Sequence, residues 1–188
     1  WITVSGTLSN EILKIQSTRQ IDLIIMGTSG GTELGPTNTS NFVLEADCPV
    51  LVIPAEFEEF KIKNIVLVLG KESIDDTHVL STLLKVARRF NAKVHVITIE
   101  NRPEMFGYSE TDEKNETTIQ YYLENFYSEH VFIENPDVVD GILNYATLHN
   151  IDMITILPRN HTKHSQPSEG QLTELLVLHS PIPILAID

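Results

Sequence analysis

Apolar residues in this chain fall in short runs separated by amphipathic stretches. The run Asn64-Ile65-Val66-Leu67-Val68-Leu69 is nearly all apolar and rich in β-branched residues, as expected of a strand buried on both faces. Val79, Leu80, Leu83, Leu84, Val86 and Ala87 follow at helical spacing and predict a helix over residues 75–91. A second strand is predicted over 93–99. The polar stretch 102–115, with Pro103 and Gly107, reads as a loop, and 116–128 as a helix whose Ile119, Tyr122, Leu123 and Phe126 face the core. A third strand over 130–134 leads through Asn135-Pro136-Asp137 into another helix. A fourth strand (152–157), a helix (170–178) and a fifth strand (183–187) complete the series. Strand and helix alternate, which predicts a parallel sheet with right-handed crossovers and helices on both faces.

The first 54 residues repeat the end of this series. Ile21-Asp22-Leu23-Ile24-Ile25 returns as Ile151-Asp152-Met153-Ile154-Thr155, and Cys48-Pro49-Val50-Leu51-Val52-Ile53 returns as Ile182-Pro183-Ile184-Leu185-Ala186-Ile187. A repeat of this length is domain-sized. The reading is an α/β protein with a doubly wound, five-stranded parallel sheet in two tandem copies. Residues 1–54 form the C-terminal part of the first copy, 55–60 a linker, and 61–188 a complete second copy. In the first copy strands are predicted over 2–4, 22–26 and 49–53, and helices over 9–19 and 39–46. Doubly wound sheets place their first strand centrally, so 1–54 alone would lack the middle of its sheet. That predicts an upstream segment equivalent to 61–131.

Charge narrows the partners. With 13 basic and 26 acidic residues the net charge is -13, which argues against nucleic acid, whose binding needs a basic face. No apolar run has the length of a membrane span. The single cysteine, Cys48, excludes an intramolecular disulfide and fits a reducing, cytoplasmic setting, where it packs in the core.

Met26-Gly27-Thr28-Ser29-Gly30-Gly31, then Thr37-Asn38-Thr39, then Ala46-Asp47-Cys48-Pro49-Val50-Leu51-Val52-Ile53-Pro54 resembles the universal stress protein family. Members read M-G-T-x-G after the fourth strand, then a phosphate loop, a helix opening S-N-T, and C-P-V-L-V-V-P. The resemblance is dense over 20–54; over 61–188 it rests on element order and the echo. It implies a doubly wound α/β fold and ATP or AMP binding through G-x2-G-x9-G-[ST]. Glycines let backbone curl round phosphates, and the next helix N-terminus supplies amides. Gly27, Gly30, Gly31, Thr37 and Asn38 are the nucleotide-site residues it implies here. The chain departs from the pattern at Pro36, which replaces the third glycine after a five-residue loop (31–35) where nine residues are expected. Proline has no N–H to donate. In the second copy Leu157 and Asn160 replace the first two glycines, while nine residues precede Gly170, and Gln171 stands in the Ser/Thr position. Gly70 stands where the family places an Asp near the adenine and ribose.

Other candidates have plainer readings. His161 and His164, with Arg159 and Lys163, form a basic loop that could hold a metal or an anion but reads more simply as solvated. His149 and His179 sit at helix ends, where the dipole favours them. Asp75-Asp76 read as acids opening a helix. No G-x-S-x-G, P-loop lysine or H-E-x-x-H motif occurs, so no catalytic or metal residue is assigned. Three functions remain: a nucleotide-responsive stress module, a scaffold whose sites have decayed, and a weak ATP-hydrolysing enzyme. The partners implied are the two copies themselves, paired through strands 49–53 and 183–187, a second chain in a homodimer, and a further, unidentified protein.

Overall fold

The computed structural model describes residues 5, 8–28, 38–74, 76–158 and 171–187. In chain order they form α1 (Leu8–Thr18), β1 (Ile24–Thr28), α2 (Asn38–Glu45), β2 (Val50–Pro54), β3 (Asn64–Val68), α3 (His78–Phe90) and β4 (Lys93–Glu100). There follow α4 (Glu110–Leu123), β5 (Tyr127–Glu134), α5 (Val138–Leu148), β6 (Met153–Ile156), α6 (Gln171–His179) and β7 (Ile184–Ala186). The strand expected over 2–4 lies outside the described residues.

The strands make one seven-stranded sheet in the order β1-β2-β7-β6-β3-β4-β5, where five-stranded parallel sheets were expected. Strands β3 to β7 have the doubly wound arrangement, with β3 between β6 and β4. The two additional strands come from residues 1–54. Of the paired strands, β2 and β7 alone run antiparallel, in the register Val50↔Ala186, Leu51↔Leu185, Val52↔Ile184. In the sequence echo Leu51 corresponds to Leu185, Val50 to Ile184 and Val52 to Ala186. Each pair is therefore the mirror of the other, with the two equivalent leucines facing one another on a local two-fold axis.

Side chains alternate between two cores, as the pleat requires. Val50, Val52, Ile184, Ala186, Ile154, Val66 and Ile97 pack under α1, α2, α5 and α6. Leu51, Leu185, Met153, Ile65, Leu67, Val94 and Val96 pack with α3 and α4. Helices thus cover both faces of β3–β7. On the second face beside β1, Leu23 is 43% and Ile25 63% exposed, whereas their echoes Met153 and Thr155 are buried.

The antiparallel junction also explains the short connection from β2 to β3. Because β2 runs against β3, it ends on the side where β3 begins. Crossing β7 and β6 at about 4.8 Å per strand needs roughly 14 Å, which residues 55–63 reach easily. Phe60 anchors this connection between Phe57 (6.0 Å) and Phe90 (5.6 Å). Asp152 ties β6 to the start of β3, its Oδ2 accepting from the N–H groups of Lys63 (2.7 Å) and Asn64 (2.9 Å).

The largest departure from the expected elements is at α4, and β5 accordingly starts at Tyr127 rather than 130. α4 begins at Glu110, inside the stretch expected to be a loop, and ends at Leu123, short of the expected 128. A reciprocal capping box between Ser109 and Asp112 starts it. Its buried face carries Asp112 and Asn115 alongside Ile119 and Leu123, so polarity there did not mean exposure. Asn115 accepts from the N–H of Ile74 (3.0 Å) and donates to the carbonyl of Glu72 (2.8 Å).

Leu185→Ala, in the buried centre of the junction, is expected to cost about 2–5 kcal/mol of unfolding free energy in urea titrations. Ile25→Thr, at an exposed position, is expected to change it by less than about 0.5 kcal/mol.

Candidate functional site

Ligands of doubly wound sheets bind beyond the C-terminal ends of the strands, where strand order reverses. In residues 61–188 that point is the end of β3, between β6 and β4. Gly70 and Lys71 follow β3 there. Gly70 has no positive φ, and an added Cβ would meet only the Glu72 carboxylate at 3.4 Å.

Lys71 organises this end of the sheet. Its Nζ donates to the Gly107 carbonyl (2.8 Å) and to Asp112 Oδ2 (3.1 Å) at the start of α4, and forms an ion pair with Glu100 Oε1 (2.8 Å) at the end of β4. It also lies 4.5 Å from the centre of the Phe132 ring, within cation–π range. Of the three N–H donors of the ammonium, two are used in these hydrogen bonds. Glu100 Oε1 also accepts from the Gly107 N–H at 3.1 Å. Gly107 has φ +101°, a conformation that favours glycine. The loop between β4 and α4 is thereby folded onto the strand ends.

Electrostatics match this closure. Burial is the largest influence on Asp112 and opposes its ionisation. Hydrogen bonds from Ser109 and Lys71, with the Lys71 charge, outweigh it and hold the carboxyl below the usual carboxylate range. Beside it, His130 Nε2 lies 3.0 Å from Thr98 Oγ1, and its ring stacks obliquely on Phe132 at 4.3 Å. Burial lowers the His130 pKa, aided by Lys71 and outweighing the pull of Glu116 and Asp112. Asp112 Oδ1 and His130 Nδ1 are buried with no hydrogen-bond partner among the described residues. The sequence signal for this cluster was Ser109-Glu110-Thr111-Asp112, a capping-box pattern before an apolar-periodic stretch.

The C-terminal ends of β1 and β2 lie at the opposite end of the sheet, because these strands run the other way. Gly27 lies inside β1 opposite Ile53 rather than in a turn, and an added Cβ would meet nothing within 4 Å. Thr28 ends β1 and is buried. α2 opens at Asn38, with Thr39 and Ser40 buried in its first turn. Gly30, Gly31, Pro36, Thr37 and the Asn38 side chain lie outside the described residues. So do Arg159, Asn160, His161, Lys163, His164, Gly170 and the Gln171 side chain. Leu157 packs on the core shared with α3 and α4. Asp76 Oδ1 accepts from the His78 N–H (2.8 Å) at the start of α3, Asp75 lies outside the described residues, and His149 and His179 stand at helix ends.

Lys71→Met leaves Glu100 and Asp112 unpaired and is expected to cost about 3–5 kcal/mol in denaturant titrations. Lys14→Met, at the exposed pair with Glu11, should cost less than about 1 kcal/mol. A lowered folded pKa for His130 means its contribution is complete above the unfolded value of about 6.5 and is lost as pH falls toward the folded value. Stability is therefore expected to decline from pH 7 to 5 more steeply in the wild type than in His130→Gln.

The profile of the Universal stress protein family matches residues 1–54 and 61–188. No curated protein matches the chain. A universal stress protein from Archaeoglobus fulgidus DSM 4304 shares the fold with a TM-score of 0.67 at 15% identity, over 96% of this chain and 64% of its own length. A putative universal stress protein from Pseudomonas aeruginosa UCBPP-PA14 gives 0.65 at 19% identity, over 97% and 69%. A universal stress protein solved in complex with cAMP gives 0.51 at 11% identity, over 69% and 98%. The chain thus spans less than two thirds of the Archaeoglobus protein, and identities this low speak for the fold alone. Among the described residues no helix is long and apolar enough to cross a membrane. With both segments matched by the family profile, the chain belongs to the universal stress protein family.

Proposed function

We propose that this chain is a regulatory, non-catalytic stress module of two universal stress protein units. Residues 61–188 are a complete unit acting as a pairing scaffold, and 1–54 are the C-terminal part of a unit that recognises ATP or AMP. The observation that carries the two-unit reading is the mirror-symmetric register of β2 and β7, centred on the equivalent Leu51 and Leu185. The separate family matches to 1–54 and 61–188 support it.

The assignment of nucleotide to the first unit follows from chemistry at the two strand ends. In the second unit the Lys71 charge is already paired with Glu100 and Asp112, which disfavours its use on a phosphate, and Gly70 supplies no carboxylate for a ribose. In the first unit Gly27 leaves open space beside β1, and the Gly30-Gly31 stretch leads to the start of α2, whose amides suit an anion. The likeness to a universal stress protein solved with cAMP is consistent with an adenine nucleotide. Pro36 and the five-residue spacing favour an alternative in which both sites have decayed and the protein acts only as a scaffold.

Calorimetric titration of ATP and of AMP decides between them. One site per chain, abolished by Gly30→Asp and retained in Gly170→Asp, is the expected result. Absence of heat and of thermal shift at millimolar nucleotide would leave the scaffold.

A further inference from the structure

Far from both strand ends considered above, three potential ligands converge near the start of β4. His95 lies on β4, Glu129 on β5, and His149 caps the C-terminus of α5. Their ligand atoms all lie within 4.8 Å of one another. His95 Nδ1 is 3.1 Å from Glu129 Oε1 and 3.1 Å from the Tyr145 hydroxyl, which is 3.3 Å from the same carboxylate oxygen. The Tyr145 and His149 rings stack at 4.0 Å.

Two backbone features assemble this group. The β4–β5 register shifts by one between Val94↔Tyr127 and Val96↔His130, so Ser128 and Glu129 together oppose His95. Such an irregularity re-aims a side chain, and here the Glu129 carboxylate meets the His95 ring. The end of α5 contributes the rest: its C-terminal turn presents His149, and the negative end of the helix dipole favours a cation beside it.

We propose that His95, Glu129 and His149 form a binding site for one divalent transition-metal ion of the zinc class. Two imidazoles and a carboxylate select such an ion over Mg2+ or Ca2+, which prefer all-oxygen shells. A tetrahedral zinc with bonds of about 2.0–2.1 Å holds its ligand atoms roughly 3.3 Å apart, close to the separation already present between His95 and Glu129. Small rotations of the exposed Glu129 and His149 bring the third ligand into range. Three protein ligands leave a coordination position to solvent, as in zinc sites of the two-histidine, one-carboxylate type. Tyr145 donates to Glu129 and steadies the carboxylate. This site is independent of the nucleotide assignment and uses none of its residues.

Co2+ titration of the untagged, chelator-treated chain, followed by Zn2+ displacement, tests it. The expected result is one ion per chain, with the intense visible bands of four- or five-coordinate Co2+. His149→Ala and Glu129→Gln alter exposed positions, so both variants are expected to fold, and each should weaken binding by more than about 100-fold. A His161→Ala/His164→Ala chain should bind as the wild type does. The proposal fails if the wild type binds no stoichiometric ion. It fails equally if both site variants keep wild-type affinity, or if the His161/His164 replacement abolishes binding.

Discussion

The antiparallel pairing of β2 with β7 is the constraint from which the rest of the sheet follows. Without it β7 would end a five-stranded sheet with a row of unpaired backbone groups, a liability in any exposed strand. β1 and β2 would be a two-stranded ribbon, which is marginal by itself. Pairing removes both problems and extends one core across the junction, with Phe42 and Val43 of α2 and Leu176 and Val177 of α6 in the same cluster. It also reverses the direction of the first two strands. That reversal brings the end of β2 to the side where β3 starts and places the two potential ligand-binding ends on opposite sides of the sheet.

The two ends have taken different chemical courses. At the end of β3 the charges of Lys71, Glu100 and Asp112 are paired with one another. A buried triad of this kind is weak evidence for added stability, since desolvation offsets much of its attraction. Its clear consequence is geometric, because it fastens the β4–α4 loop over the strand ends. At the end of β1 there is no comparable ion pair among the described residues, and on the neighbouring face Leu23 and Ile25 are exposed. The His95, Glu129 and His149 group adds a third chemistry at the far edge of the sheet.

Much of this was legible because strands buried on both faces must be apolar, and the echo of 48–53 in 182–187 marked the two strands that meet. The strand count was not legible. Apolar runs show which segments are strands but not that β1 and β2 join the other five in one sheet through an antiparallel pair. α4 was misplaced because its buried face includes Asp112 and Asn115, whose partners Lys71 and Ile74 are distant in sequence. His149 was correctly placed at a helix end, yet its neighbours His95 and Glu129 come from other elements, joined by a register shift that no local pattern announces. Lys71 likewise looked like an ordinary residue after a strand until the fold brought Glu100, Gly107 and Asp112 to it.

If the junction truly merges residues 1–54 with the rest, the sheet should open as one cooperative unit. Native-state hydrogen exchange reports this directly. The account predicts that the amides of Leu51 and Val52 in β2 exchange with the same opening free energy as those of Ile65, Val66 and Leu67 in β3. Exchange of β1 and β2 through a separate, lower-energy opening, while β3–β7 stay protected, would contradict it.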